Sequence, residues 1–266
     1  MDFINACKEF GIELSEKQLS QFEEYFHLLT EWNEKMNLTA ITEKEEVYLK
    51  HFLDSLSLMK GFQDFSGISE NALNEINNND EEKAFIELYN KIKSGEFSFI
   101  DIGTGAGFPG IPLKILFPNA HVTLMDSLNK RITFLNEVTE VLKLNESGSV
   151  ECIHARAEEL AQNKDYREQY DFVVSRAVAN LSTLTEYCLP FAKVGGFFIS
   201  YKSEKAGEEI AAAGNAIFLC GGVFRKEVSF TLPQSDIKRS LLFIEKRQNT
   251  AKKYPRKAGL PSKSPL

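Results

Sequence analysis

Phe99-Ile100-Asp101-Ile102-Gly103-Thr104-Gly105-Ala106-Gly107-Phe108-Pro109-Gly110 is the stretch that decides how this chain folds. An apolar run, FSFIDI (97–102), gives way to three alternating glycines. The residues that follow set Ile111, Leu113, Ile115 and Leu116 at helical spacing. A strand that turns sharply into a helix needs residues free to adopt left-handed backbone, and a backbone without Cβ atoms lets a ligand come close. The segment therefore predicts a strand, a ligand-binding turn and a helix.

Working outward, four more short apolar runs follow: HVTLMD (121–126), VECIHA (150–155), DFVVSRA (171–177) and GGFFISYK (195–202). Each is rich in β-branched or aromatic residues and bounded by turn or charge signals. Helical stretches lie between them, such as 130–144 with Phe134, Leu135, Val138, Val141 and Leu142 on one face. Strand–helix alternation predicts an α/β fold with a parallel sheet covered on both sides. A helix over 204–216 follows the fifth strand, and then two strands, 223–232 and 240–246, joined by Pro233-Gln234-Ser235-Asp236. That turn is too short for a crossover, so the last pair is antiparallel. A mostly parallel sheet ending in an antiparallel hairpin is the outline of the Rossmann-like methyltransferase fold, not of the six-stranded dinucleotide form.

Residues 1–63 read as an N-terminal helical unit. Ser15 with Gln18 forms a capping box, and Leu19, Phe22, Phe26, Leu29 and Trp32 recur at spacings of three and four. After Met36-Asn37-Leu38-Thr39, Thr42 with Glu45 can cap a second helix, whose buried side is Val47, Leu49, Phe52, Leu53 and Leu56. Residues 64–96 read as an insertion or linker: NALNEINNNDEE (71–82) is Asn- and acid-rich, and one short amphipathic helix follows through Phe85, Leu88, Tyr89 and Ile92. The catalytic domain spans 97–248.

Residues 249–266 form a basic tail. From 238 to 266 there are nine Lys/Arg and one acid, +8, which leaves −15 on the rest of a chain whose formal charge is −7. This asymmetry suits either a phosphate contact at one edge or a solvated, disordered end without a stable helix. The four cysteines, Cys7, Cys152, Cys188 and Cys220, are far apart and include no Cys-x-x-Cys pair. That argues against a zinc site or a disulfide framework and for free thiols in a reducing cytoplasm. The N-terminal MDFINACKEF lacks the basic start and apolar core of a signal peptide. No stretch approaches the roughly 18 apolar residues of a membrane span.

Gly105, Gly107 and Gly110 also satisfy the dinucleotide pattern Gly-x-Gly-x-x-Gly. Asp101 weighs against that ligand, because a carboxylate beside the glycine turn would repel a pyrophosphate. S-adenosylmethionine has no phosphate and carries a sulfonium and an ammonium that an acid favours. Asp101 can instead simply stabilise the turn. Asp126 ends the second strand, 23 positions after Gly103. It can accept both ribose hydroxyls, or serve as a helix N-cap.

Together with Asn37-Leu38-Thr39, His51-Phe52-Leu53-Asp54-Ser55-Leu56, Leu124-Met125-Asp126-Ser127 and Val174-Ser175-Arg176-Ala177, the glycine loop resembles the glucose-inhibited division protein B family. These are bacterial small-subunit (16S) ribosomal RNA methyltransferases acting on guanine N7. The endings Tyr254-Pro255-Arg256-Lys257 and Ser262-Lys263-Ser264-Pro265 are similar too. The resemblance covers the chain except for about 64–96. It implies S-adenosylmethionine at Gly103 and Phe108, at Ala157-Glu158 and at Arg176, and small-subunit rRNA or the subunit itself as partner of a monomeric, metal-free cytoplasmic enzyme.

Each of these residues also has a reading of its own. Phe108 shapes the pocket mouth or packs within the fold. Glu158 accepts from an adenine amino group or is a solvated helix-start acid. Arg176 reads phosphate or guanine edges, or pairs with a nearby acid. Lys202, at the end of the fifth strand, is a second substrate candidate. His51 and Asp54 stay with the helical unit, outside the catalytic set of Arg176 and Lys202. The cofactor set is Asp101, Gly103, Gly105, Gly107, Phe108, Asp126, Ala157, Glu158 and Arg176. Two other functions stay open: an NAD-dependent oxidoreductase, and a non-catalytic RNA-binding ribosome assembly factor.

Overall fold

A computed structural model describes residues 1–66, 87–88, 90–176, 179–203 and 206–266, with backbone only at 63–66. The Asn-rich run 71–82, Phe85 and Tyr89 of the expected short helix, and Ala177 lie outside the described residues.

The helical unit opens with α1 (Phe3–Glu9) and α2 (Glu16–Met36). The Ser15–Gln18 capping box forms in both directions, and Asn37 ends α2 in left-handed backbone. The second helix departs from expectation. Glu43, not Thr42, holds the cap position, and no side chain caps α3 (Lys44–Val47). The chain then widens into a π-helical turn, Tyr48–Leu53, before α4 (Asp54–Leu56) and α5 (Leu58–Ser66). Such wide turns recur at functional sites because they shift which side chains share a face; here the turn carries His51 and leads into Asp54.

The sheet has seven strands: β1 (Ser98–Ile102), β2 (His121–Asp126), β3 (Ser149–His154), β4 (Tyr170–Arg176), β5 (Ala192–Lys202), β6 (Gly222–Thr231) and β7 (Lys238–Lys246). Their order is β3-β2-β1-β4-β5-β7-β6. The first five are parallel, and β7 runs antiparallel between β5 and β6. The chain starts at β1, builds out to β3 on one side, then returns to β4 on the other. A crevice therefore opens at the C-terminal ends of β1 and β4, where open α/β sheets bind ligands.

One sheet face packs against α6 (Gly110–Leu116), α7 (Asn129–Val141) and the helical unit, within a single apolar core that joins Phe22, Tyr25 and Phe52 to Phe99, Phe172 and Phe243. Leu88 and Ile92, from the expected insertion, are buried in this core. The opposite face packs under α8 (Ala157–Leu160), α9 (Leu181–Cys188) and α10 (Ala206–Leu219).

The tail corrects the expectation of a disordered end. The Arg167 guanidinium donates to the carbonyls of Thr250 at 2.7 Å and Tyr254 at 3.0 Å. Arg256 pairs with Glu186 at 2.7 Å, and residues Leu260–Lys263 form a last turn, α11. The cause is Glu186. It is fully buried, and a buried carboxylate is costly without a cationic partner. Composition registers the arginine's charge but not the acid waiting for it.

Candidate active site

The glycine loop is held by two acids. Asp101 is fully buried. Its Oδ2 accepts from Thr104 Oγ1 at 2.7 Å and from the Gly110 N–H at 2.8 Å, while Oδ1 has no partner among the described residues. Burial pushes its carboxyl up to about 7, against those two hydrogen bonds and the charge of Arg176. Asp126 accepts from the Gly105 N–H at 2.9 Å, from the Leu128 N–H at 2.9 Å and from Arg131 at 3.1 Å. Leu128, not Asp126, is the N-cap residue of α7.

The glycines divide in role. Gly103 and Gly105 have φ of 71° and 63°, and a Cβ on Gly105 would enter open space. A Cβ on Gly107 would lie 2.6 Å from Tyr25 Oη and 2.7 Å from Ile111 Cγ1, so this glycine makes room for the helical unit. Phe108 is buried there as well. Its ring stacks on His51 at 4.5 Å, tilts against Tyr25 at 5.4 Å and lies 5.1 Å below the Arg176 guanidinium.

Two cavities lie at this sheet edge. The first, about 180 Å³, is lined by Ile102, Gly103, Met125, Ala157, Glu158 and Tyr187, with Gly259 and Ser262 from the tail. Glu158 is 8 % exposed, and its Oε1 accepts from the Gly259 N–H at 2.9 Å. It is not a solvated helix-start acid.

The second cavity, about 490 Å³, is lined by Lys50, His51, Asp54, Arg176, Lys202 and Arg239 among others. Asp54 is the hub. Its Oδ2 binds Arg176 at 3.0 Å and its Oδ1 binds Arg239 at 2.9 Å. Lys202 donates to Glu209 at 2.6 Å and to the Ala179 carbonyl at 3.0 Å. Thr39 Oγ1 hydrogen-bonds His51 Nε2 at 2.8 Å. Burial, with Arg176 alongside, pushes that imidazole down to about 4, so it is neutral near pH 7.

The sequence-selected residues thus separate into Gly103, Ala157 and Glu158 around one cavity, Arg176 and Lys202 around the other, and Gly105, Gly107 and Phe108 in the loop, held by Asp101 of β1 and Asp126 of β2. Sequence reasoning did not select Asp54, Arg239, Tyr187, Gly259 or Ser262. Asp54 stood inside the quoted HFLDSL motif and Ser262 inside the quoted SKSP ending; Arg239, Tyr187 and Gly259 had no local signal. Open space at Gly105 and an unpartnered buried Asp101 oxygen fit a ligand that approaches the backbone and bears positive charge. No group of His, Cys, Asp and Glu side chains suited to holding a metal occurs among the described residues.

A solved structure of P. horikoshii TYW2 in complex with MeSAdo matches with a TM-score of 0.45 at 14 % identity, over 57 % of this chain and 57 % of its own. A family model described as rRNA small subunit methyltransferase G matches residues 18–69 and 83–240. The ribosomal RNA small subunit methyltransferase G of Lysinibacillus sphaericus (strain C3-41) is 48 % identical over 99 % of this chain and 98 % of its own length. The protein of the same name from Exiguobacterium sp. (strain ATCC BAA-1283 / AT1b) is 49 % identical with the same coverage.

Proposed function

The chain belongs to the rRNA small subunit methyltransferase G family, and on that premise we infer that it transfers a methyl group from S-adenosylmethionine to N7 of a guanine in small-subunit (16S) ribosomal RNA. The observation that carries this reading is near-half identity to proteins of that name along almost the whole chain. The reading is of a monomer working in the cytoplasm, where its RNA is made. No described helix is long and apolar enough to cross a membrane.

Bound S-adenosylmethionine supplies a methyl group made electrophilic by its sulfonium. The residues that would hold it are Gly103, Ala157 and Glu158 around the first cavity, with Asp126 and Gly105 at the ribose side and Asp101 as counter-charge. The second cavity receives the guanine. N7 carries an exposed lone pair and gives up no proton, so the chain needs to supply alignment and charge rather than a base. An arginine fork normally takes both O6 and N7 of guanine, and that would block the attacking nitrogen. Arg176 is already committed: its Nη1 is held by Asp54 at 3.0 Å and its Nη2 faces His51 Nδ1 at 3.4 Å. Donation from Nη2 to O6 alone holds the base and leaves N7 open. Asp54 offsets the arginine's charge as the base becomes cationic.

The test is transfer of labelled methyl from S-adenosylmethionine into small-subunit rRNA lacking the modification, with the product base mapped. Label on N7 of a guanine is expected; label on another atom, or none, would overturn the reading. With RNA and cofactor saturating, the single-turnover rate should be nearly flat from about pH 6.5 to 8.5, because no group has to lose a proton. Arg176→Ala should lower that plateau by roughly 10–100-fold and introduce no slope. A rate climbing tenfold per pH unit would point to a general base and to a different target atom.

A further inference from the structure

We propose that residues 258–264 are a cofactor-binding element: the tail walls the cavity that takes the adenosyl group, instead of serving as a free basic arm for RNA. This rests on the assignment of the first cavity to S-adenosylmethionine. Three observations place the tail there. Gly259 and Ser262 line the cavity beside Gly103 and Ala157. The Gly259 N–H donates to Glu158 Oε1 at 2.9 Å, which fixes the one carboxylate that lines the cavity among the described residues. Tyr187 lines the same cavity together with Glu158 and Ser262.

The placement is anchored from outside the cavity. Arg256 reaches Glu186 through its guanidinium at 2.7 Å and its backbone N–H at 2.7 Å, and also donates to the Ser264 carbonyl at 2.8 Å. Thr183 Oγ1 donates to the Pro261 carbonyl at 3.0 Å. Thr183, Glu186 and Tyr187 all lie on α9, so this helix carries the anchors and presents Tyr187 to the ligand. A backbone N–H bound to a buried carboxylate orients it without neutralising it, which leaves Glu158 an acceptor for an exocyclic amine.

The experiment compares the full chain with a truncation ending at Lys257, which keeps the Arg256–Glu186 pair, and with Ser262→Trp, which adds bulk to the wall. Binding of S-adenosylmethionine, S-adenosylhomocysteine and adenosine is measured calorimetrically, and the ligand-free unfolding temperature is recorded for each. Both variants should bind all three ligands about tenfold or more weakly, the truncation through loss of one charge-assisted hydrogen bond and its wall, Ser262→Trp through bulk that fills the cavity. Their ligand-free unfolding temperatures should stay near that of the full chain. In turnover the defect should appear in KM for the cofactor, with kcat at saturation little changed. Full-chain affinity in Ser262→Trp and in the truncation would overturn the proposal; should the truncation fail to fold, Ser262→Trp decides alone. Ala157→Trp, at a lining residue outside the tail, separates the two levels. If it too binds S-adenosylmethionine normally, the cavity assignment itself falls. If it does not bind while the tail variants do, only the tail's role is lost.

Discussion

Asp101 is a carboxylate shut away from water, and its titration should be visible in two measurements. Burial raises its pKa to about 7, whereas the unfolded chain loses that proton near about 4. Between these values the folded state binds more protons than the unfolded one, so this group makes stability fall as pH rises from about 4 to about 7. His51 works in the opposite sense. Burial and Arg176 push it down to about 4, so stability rises from there to about pH 6.5 as the unfolded imidazole gives up its proton. Unfolding Asp101→Asn beside the parent protein at pH 5, 6, 7 and 8 removes the His51 contribution by difference. The variant should gain stability relative to the parent as pH rises through 7. A cationic cofactor favours the ionised form, so S-adenosylmethionine affinity should increase from about pH 6 to 8 in the parent and stay level in Asp101→Asn. Parallel affinity profiles would remove Asp101 from the cofactor's surroundings.

The glycine loop is an element with two jobs, and single methyl groups can separate them. At Gly107 a Cβ meets Tyr25, Ile111 and Leu135 within 3.0 Å in a backbone of φ 98°. Gly107→Ala should therefore cost about 2–4 kcal/mol of stability, from overpacking plus left-handed strain. At Gly105 the space is open and φ is 63°, so Gly105→Ala should cost only about 1–2 kcal/mol from strain. Its methyl group projects where the ligand would lie, and cofactor affinity should fall more than stability does. Chemical denaturation and calorimetric titration of the two variants check the contrast; equal effects of both on affinity would mean that the loop is not divided in this way. The π-helical turn Tyr48–Leu53 is the matching element at the second cavity, since it carries His51 and leads into Asp54, both of which line it.

At the scale of the molecule, the helical unit and the sheet are welded by one core, and Arg176 is held across that junction. Phe52 and Tyr25 stack at 5.3 Å above Phe108, and Arg176 reaches back to Asp54. The intervening segment behaves differently along its length. The family model passes over residues 70–82, a run made mostly of Asn, Asp and Glu. Replacing 70–82 with a short Gly/Ser linker should leave the unfolding temperature and cofactor affinity close to those of the parent. Extending the replacement through residue 95 removes Leu88 and Ile92, which are 5 % and 4 % exposed. That should cost about 2–5 kcal/mol for each side chain lost. A normal unfolding temperature after the longer replacement would show that these two residues contribute nothing to the core.

Local pattern alone was enough for the strands, the glycine turn, the Ser15 cap and the antiparallel ending, because each depends on residues within a few positions of one another. Apolar alternation, helical spacing, a glycine where φ must be positive and a turn too short for a crossover are all short-range constraints. The same locality let Asp101 and Asp126 stand out at strand ends, while Glu158 and Arg176 were singled out by the family resemblance. What those side chains do was decided by partners far away in the chain. Arg176 is set by an acid 122 positions earlier, and Glu158 by a backbone N–H 101 positions later. Gly107 is required by a tyrosine of the helical unit. Such pairings follow from the order in which strands lie side by side and from the direction each crossover takes. The tail shows the difference most clearly: its basic residues suit a phosphate contact or a solvated end alike, and a fully buried Glu186 anchors it against the fold, because only the folded chain creates a carboxylate out of reach of water.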